Sequence, residues 1–345
     1  MLFHPSFQAA RAFVHRSGVR LGLFALVSLA LASSTLAEEK STPKVGERLD
    51  RRGDEIVVCG QLFHTTTPVV LWTDPGGYDA YRPEPRFGDP EKKRENYPTA
   101  WYGVRRRGLS NEELEQVRGG GWDLPLLQRV VDQFVIHYDV AGTSQRCFQV
   151  LHDSRGLSVH FMLDLDGTIY QTLDLKERAW HASHANDRSI GIEIANMGAY
   201  PPGRTAALDR WYEKDDSGRV KLRLSGSPEA NGIRNLEVPL VPARNELIQG
   251  KVHGQELVQY DLTQAQYDAL IRLTATLSTV FPKLKCDYPR DSSGALIETQ
   301  LVGPDYEAYQ GILGHYHVQR NKVDPGPAFQ WDRVIDGARA LMGEK

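Results

Sequence analysis

Apolar positions along this chain recur with two periods, and the switches between them mark out its elements. "EIVVCG" from Glu55 and "TPVVLW" from Thr67 are short β-branched runs that predict strands, followed by a turn at "DPGG". Residues 82–109 are rich in Pro, Arg and Lys, lack a period, and read as an extended loop. "SNEELEQVRGGG" predicts a short helix, with Ser110 and Glu113 as a capping box and glycines at its end. "VDQFVIHYDV" is an apolar strand that turns polar at His137, and "SQRCFQVLHD" continues as helix. "SVHFMLDLDGTIYQTL" predicts two strands joined by a turn at residues 164–167, and "SIGIEIAN" (189–196) predicts a buried strand. In "LTQAQYDALIRLTATLSTVF", Thr263 and Gln266 form a second capping box. Tyr267, Leu270, Ile271, Thr274, Leu277 and Phe281 fall on one helical stripe. "WDRVIDGARALM" predicts a closing helix.

Strands alternating with helices, plus a hairpin, predict an α/β fold: a central mixed β-sheet flanked by helices. Residues 38–109 read as a linker (about 38–53) and a small β-rich N-terminal extension, and residues 110–345 as the main domain. Two insertions interrupt that domain, at about 198–260 and 284–311. Inside the first, "VKLRL" and "LEVPLV" are candidate hairpin strands. No internal repeat is visible.

Composition changes the picture mainly at the N-terminus. The chain has 345 residues, 41% of them hydrophobic and 25% charged, which suits a globular protein with a sizeable core. Arg11, Arg16 and Arg20 precede the apolar run 21–32 and the small-residue stretch "SSTLA". This is the pattern of a secretory signal peptide, residues 1–37, with cleavage expected after Ala37; an uncleaved anchor is the alternative. Export to the periplasm or the exterior follows, with no membrane span after cleavage. Residues 1–37 hold three arginines and no acid, so the 41 basic side chains fall to 38 against 44 acidic ones, a formal charge of −6. Such a surface has no general attraction for nucleic acid. Cys59, Cys147 and Cys286 allow either one disulfide with a leftover thiol or three free thiols.

The candidate chemistry lies at strand ends. A lone strand-end histidine such as His137 is more often structural than a ligand. "GHYHVQRNKVDPGPAFQW" (314–331) adds His315 and Asp324. Two histidines and one carboxylate form a set that holds catalytic zinc and leaves a fourth position for water. Pro-Gly-Pro after Asp324 stiffens that ligand's backbone. Lys322, two positions earlier, faces the same side in an extended segment. Glu193 sits inside an apolar strand, where a carboxylate is unfavourable unless paired or functional. A core salt bridge, or a strand edge facing water, explains it as well as catalysis does. His317 competes with His315 as a ligand.

"FVIHY", "SVHFMLDLDGTIYQ", "ERAWHAS", "SIGIEIAN" and "GHYHVQRNKVDPGPAFQW", in this order, resemble the zinc-dependent N-acetylmuramoyl-L-alanine amidases of the type 2 amidase family. That family is related to the peptidoglycan recognition proteins. The resemblance covers residues 130–199, 261–283 and 312–341. It implies His137, His315 and Asp324 as zinc ligands, Glu193 as the base and Lys322 as the group that stabilises the oxyanion. It further implies Trp180 and His181 at the substrate groove, and His160 as a substrate contact or a supporting residue. Some relatives carry a catalytic Tyr where this chain has Val159, so the chain would follow the Glu-dependent branch. The spacing from His315 to Lys322 is about one residue shorter than in close relatives. The implied reaction is hydrolysis of the bond between the N-acetylmuramoyl lactyl group and L-alanine, in peptidoglycan or muropeptides. The competing readings are a non-catalytic muropeptide-binding module and a structural zinc site with four protein ligands. The sequence leaves open intact wall versus soluble or anhydro-muropeptide, and the oligomeric state.

Overall fold

The computed structural model describes residues 51–87 and 100–343. The expected signal 1–37, most of the linker 38–53 and part of the loop 82–109 lie outside these residues. No helix among them is long and apolar enough to cross a membrane.

The chain begins with a hairpin of β1 (Glu55–Val58) and β2 (Gln61–His64), turning at Cys59 and Gly60, both at positive φ. The Asp174 carboxylate accepts both turn N–H groups. There follow β3 (Val69–Leu71), β4 (Tyr102–Val104), α1 (Asn111–Arg118), α2 (Leu124–Val130) and β5 (Gln133–Tyr138). Next comes α3 (Ser144–Phe148), which runs into a π-helical turn, Gln149–Arg155. β6 (Phe161–Leu163), β7 (Ile169–Gln171), β8 (Glu177–Ala179) and β9 (Ser189–Ile194) complete the first half. The insertion holds α4 (Ala206–Trp211), the hairpin β10 (Tyr212–Lys214) with β11 (Val220–Leu222), and the hairpin β12 (Ile248–Val252) with β13 (Gln255–Gln259). The chain continues through α5 (Gln264–Val280), α6 (Gly303–Ala308), β14 (Gly311–Gly314), α7 (His315–Val318) and α8 (Trp331–Met342).

The central sheet has six strands in the order β14-β5-β9-β6-β7-β3. Only the β6–β7 pair is antiparallel, so the sheet is mixed, as expected. Side chains alternate across a strand, so each strand sorts its residues between two faces. Phe134 and Ile136 of β5, Ile190 and Ile192 of β9, and Phe161 and Leu163 of β6 enter one core with Tyr267, Leu270 and Leu277 of α5 and Ile335 of α8. Each fully buried aliphatic chain contributes roughly 1.5–3 kcal/mol there. The opposite phase is Val135 and His137 on β5, and Gly191 and Glu193 on β9. His137 and Glu193 are register partners in neighbouring parallel strands. The alternation that buries the helices thus puts a histidine and a carboxylate together on the other face.

The two capping boxes form as the sequence predicts, at Ser110–Glu113 and Thr263–Gln266. Other expectations change. The β-rich N-terminal segment does not stand apart: β3 is an edge strand of the central sheet, and Gln171 exchanges two hydrogen bonds with the backbone of Val57. The loop 82–109 contains β4, which pairs with β8. "LEVPLV" forms no strand, since Pro239 has no N–H to give to a ladder. The hairpin of β12 and β13 appears instead. Cys59 and Cys147 are free thiols.

Candidate metal centre

β14 and β5 run parallel with Gly314 opposite Ile136, so the next residue of each, His315 and His137, emerge together at the carboxyl end of the sheet. Open α/β sheets collect ligands in this crevice. Asp324 enters from the following turn, whose carbonyl accepts the Tyr316 N–H. His137 Nδ1 and His315 Nδ1 lie 2.9 Å apart, and each is 3.0 Å from Asp324 Oδ2. All three residues are buried. In the tautomers that leave both Nδ1 atoms unprotonated, three lone pairs meet at one point, an arrangement that suits a shared cation. Burial, reinforced by His315, pushes the His137 imidazole down to about 4, so it is neutral with a free lone pair at pH 7. Burial opposes ionisation of Asp324, yet the two imidazoles hold its carboxyl well below the usual range.

The other nitrogens of the two histidines are also held. With Nδ1 turned to the cluster, His137 Nε2–H donates to His181 Nδ1 at 3.0 Å, and His181 Nε2–H donates to Ser189 Oγ at 3.2 Å. A Cβ at position 191 would sit 2.4 Å from the His181 ring, so Gly191 makes room for this chain. His315 Nε2–H donates to Gln319 Oε1 at 2.8 Å. Such partners fix the tautomer and plane of a ligating histidine.

The first insertion buttresses the ligand turn. Gln259 on β13 donates to Pro325 O and accepts from Ala328 N–H, gripping the Pro-Gly-Pro segment. Gly326 has φ +83°, and a Cβ there would meet Gln259 Oε1 at 2.2 Å. At the hairpin tip, His253 Nε2–H donates to Lys322 O.

A cleft of about 520 Å³ opens over the cluster. Lys322, Trp180, His181 and Glu193 all line it with the three clustered residues. Glu193 Oε2 is buried with no hydrogen-bond partner among the described residues. Burial, with Asp324 and Asp139 adding to it, pushes the Glu193 carboxyl well above its ordinary range. No salt bridge to Glu193 is present among the described residues, against the core-pair alternative. His160 is fully buried and stays out of the cleft. Its Nδ1 accepts the Gly191 N–H and its Nε2–H donates to Glu177 O, so it shapes β9 from behind. His317 also turns away, tied to Gly314 N–H and Ile297 O, which leaves His315 alone in the cluster.

Three features escaped the sequence. Asp139 lines the cleft, with Oδ1 accepting the N–H groups of Ala141, Gly142 and Asn196 and Oδ2 unpaired among the described residues. Burial pushes it up to about 7. A carboxylate two positions past His137 was its only signal. Gln319 and Gln259 carried none, because an amide acquires its role only from what folds against it.

Residues 127–222 match the family model described as N-acetylmuramoyl-L-alanine amidase. That span includes His137 and Glu193 but ends before His315, Lys322 and Asp324. Among solved structures, E. coli AmiD in complex with the substrate anhydro-N-acetylmuramic acid-L-Ala-D-gamma-Glu-L-Lys is 19% identical, over 62% of this chain and 58% of that one, with a TM-score of 0.32. A selenomethionine derivative of AmpD is 17% identical over 69% and 89%, with a TM-score of 0.30. The endolysin amidase LysCS from Clostridium intestinale is 16% identical over 64% and 88%, with a TM-score of 0.31. No curated protein matches the chain significantly.

Proposed function

We propose, from the match of residues 127–222 to the family model described as N-acetylmuramoyl-L-alanine amidase, that the protein hydrolyses the amide between the N-acetylmuramoyl lactyl group and L-alanine in peptidoglycan or muropeptides. One observation carries this reading: the two Nδ1 atoms and Asp324 Oδ2 converge beside the unpaired Glu193 oxygen.

The donor set fits zinc, with two neutral imidazoles, one carboxylate and a cleft left for water and substrate. His137, His315 and Asp324 would hold the ion. Bound there, it supplies Lewis acidity towards water and the scissile carbonyl. Glu193 does the proton work: its Oε2 takes the proton lost by the attacking water and returns it at the departing L-alanine nitrogen. The C–N bond breaks, leaving a muramoyl carboxyl group and a free peptide amine. The Lys322 ammonium faces the carbonyl oxygen as negative charge develops there. His181 and Gln319 keep the imidazole planes fixed, and Trp180 walls the groove. Export through the N-terminal segment would place the protein beside its polymer.

The test is a digest of purified peptidoglycan, with and without a chelator, read by mass spectrometry. Stem peptides beginning at L-alanine should appear only when zinc is present. Wall that is bound but left uncut would replace the amidase with a recognition module.

A further inference from the structure

Arg105, Arg106 and Arg107 follow β4 in an unbroken run that by itself suggests a solvated face. Arg106 and Arg107 are exposed, but Arg105 is completely buried. A buried charge is unfavourable unless it is paired and hydrogen-bonded. Among the described residues no carboxylate forms a salt bridge with Arg105. Burial pushes its guanidinium down to about 10, so it remains a cation at pH 7.

Backbone carbonyls take its hydrogen bonds instead. Nε and Nη2 donate to Leu175 O, at 3.3 and 3.0 Å. Nη1 donates to Asn186 O at 3.1 Å and to Ser189 O at 2.9 Å. Asn186 and Ser189 are the two residues that hold His181. The Asn186 side-chain oxygen accepts the N–H groups of His181 and Ala182, at 3.2 and 2.7 Å. Ser189 Oγ accepts the His181 Nε2–H, and His181 Nδ1 accepts the His137 Nε2–H.

A second route ends at the same ring. Arg105 Nη2 lies 3.0 Å from His160 Nε2. His160 Nδ1 accepts the Gly191 N–H, and the bare backbone of Gly191 lies against the His181 ring. Burial and the Arg105 charge push the His160 imidazole down to about 3, which leaves Nδ1 free to accept. Arg105 itself lies outside the span matched by the family model. We propose that Arg105 is a positioning residue of the metal centre: one guanidinium nitrogen fixes the two residues that fix His181, and His181 fixes the imidazole plane of His137. The planar fork matters here, because a lysine carries its charge as a single point and cannot hold three carbonyls in set directions.

This inference rests on the zinc reading of His137, His315 and Asp324, so zinc is first titrated into the wild-type protein against a chromophoric chelator. Wild type that takes up no zinc would sink the metal reading, and this inference with it. Arg105→Lys keeps the charge and loses the fork. It should weaken zinc binding about tenfold, the lower end of the range for groups that orient a ligand, and shift the visible absorption of the cobalt-substituted protein. The same substitution in a His181→Ala background should weaken zinc no further, because the route to His137 is already cut. Arg105→Gln, neutral and smaller, repeats the comparison if the lysine variant does not fold, and thermal unfolding of the zinc-free forms reports which variants are folded. Unchanged zinc affinity and an unchanged cobalt spectrum in a folded variant would overturn the positioning role. An equal loss of zinc affinity in both backgrounds would overturn it too, since a general loosening of the fold acts with or without His181. Failure of both variants to fold would mark Arg105 as a core cation and count against the proposal.

Discussion

Two glutamates in this molecule have opposite fates. Glu55, at the start of β1, is 5% exposed, and its carboxylate accepts N–H groups from Arg52, Gly53 and Asp54 and from the Arg51 side chain. Burial alone would push its carboxyl up, yet these donors pull it down to about 2. Glu193, on β9, has one oxygen buried and unpaired among the described residues, and its carboxyl is pushed upward. Both are acids against a core. The difference lies in the donors. A carboxylate whose acceptor sites are filled is fixed as a charge and holds a loop. One left unfilled beside the His137, His315 and Asp324 cluster can take up and release a proton.

The strongest way to break this contrast is to neutralise each acid. Glu193→Gln should lower kcat by about 10²–10⁴-fold, the usual range for a lost general base, with zinc content by metal analysis unchanged. Lost zinc, or retained activity, would make Glu193 a structural acid like Glu55. His181→Ala should weaken zinc binding about 10–100-fold in a chelator competition, since it orients His137 without touching the ion. An unchanged affinity would mean that the Ser189–His181–His137 chain positions nothing. Glu55→Gln should lower unfolding free energy by about 1–2 kcal/mol at pH 7 in denaturant titrations, leaving turnover per folded molecule intact. The smallest effect sharpens the comparison by pH. The Glu55 carboxyl is depressed from 4.5 to about 2, so its stabilisation is present above about pH 4.5 and is lost as pH falls towards 2. Wild type and Glu55→Gln should therefore converge in stability across that window, and parallel curves would refute the assignment.

The sequence shows one of these glutamates clearly and hides the other. Glu193 interrupts an apolar strand, a local conflict that period-2 alternation exposes. Glu55 stands at the edge of a β-branched run and resembles any strand-start acid, since its donors are backbone groups. The strands and capped helices of the main domain were legible because their periodicity is local. His137, His315 and Asp324 were legible as a donor set, although only the parallel register of β5 and β14 brings them together. The β12–β13 hairpin was not legible: "IQGKVHGQELVQ" is too polar to stand out, and Gln259 and His253 show their purpose only against the turn they grip. The resemblance implied His160 as a substrate contact or a supporting residue, and its complete burial, which agrees with the second, could not be read from order alone.

The place of β14 in the sheet has a consequence for timing. His315 lies 178 positions after His137 in the chain, and Asp324 lies 187 after it. Pairing residues this distant in sequence is slow, because the long loop between them must be closed first. A nascent chain, or one clipped by a protease before β14, presents a solitary histidine and an idle glutamate. The proposed hydrolase is therefore its own zymogen during synthesis: no inhibitory segment is needed, because the centre does not exist until the chain has been read past Asp324.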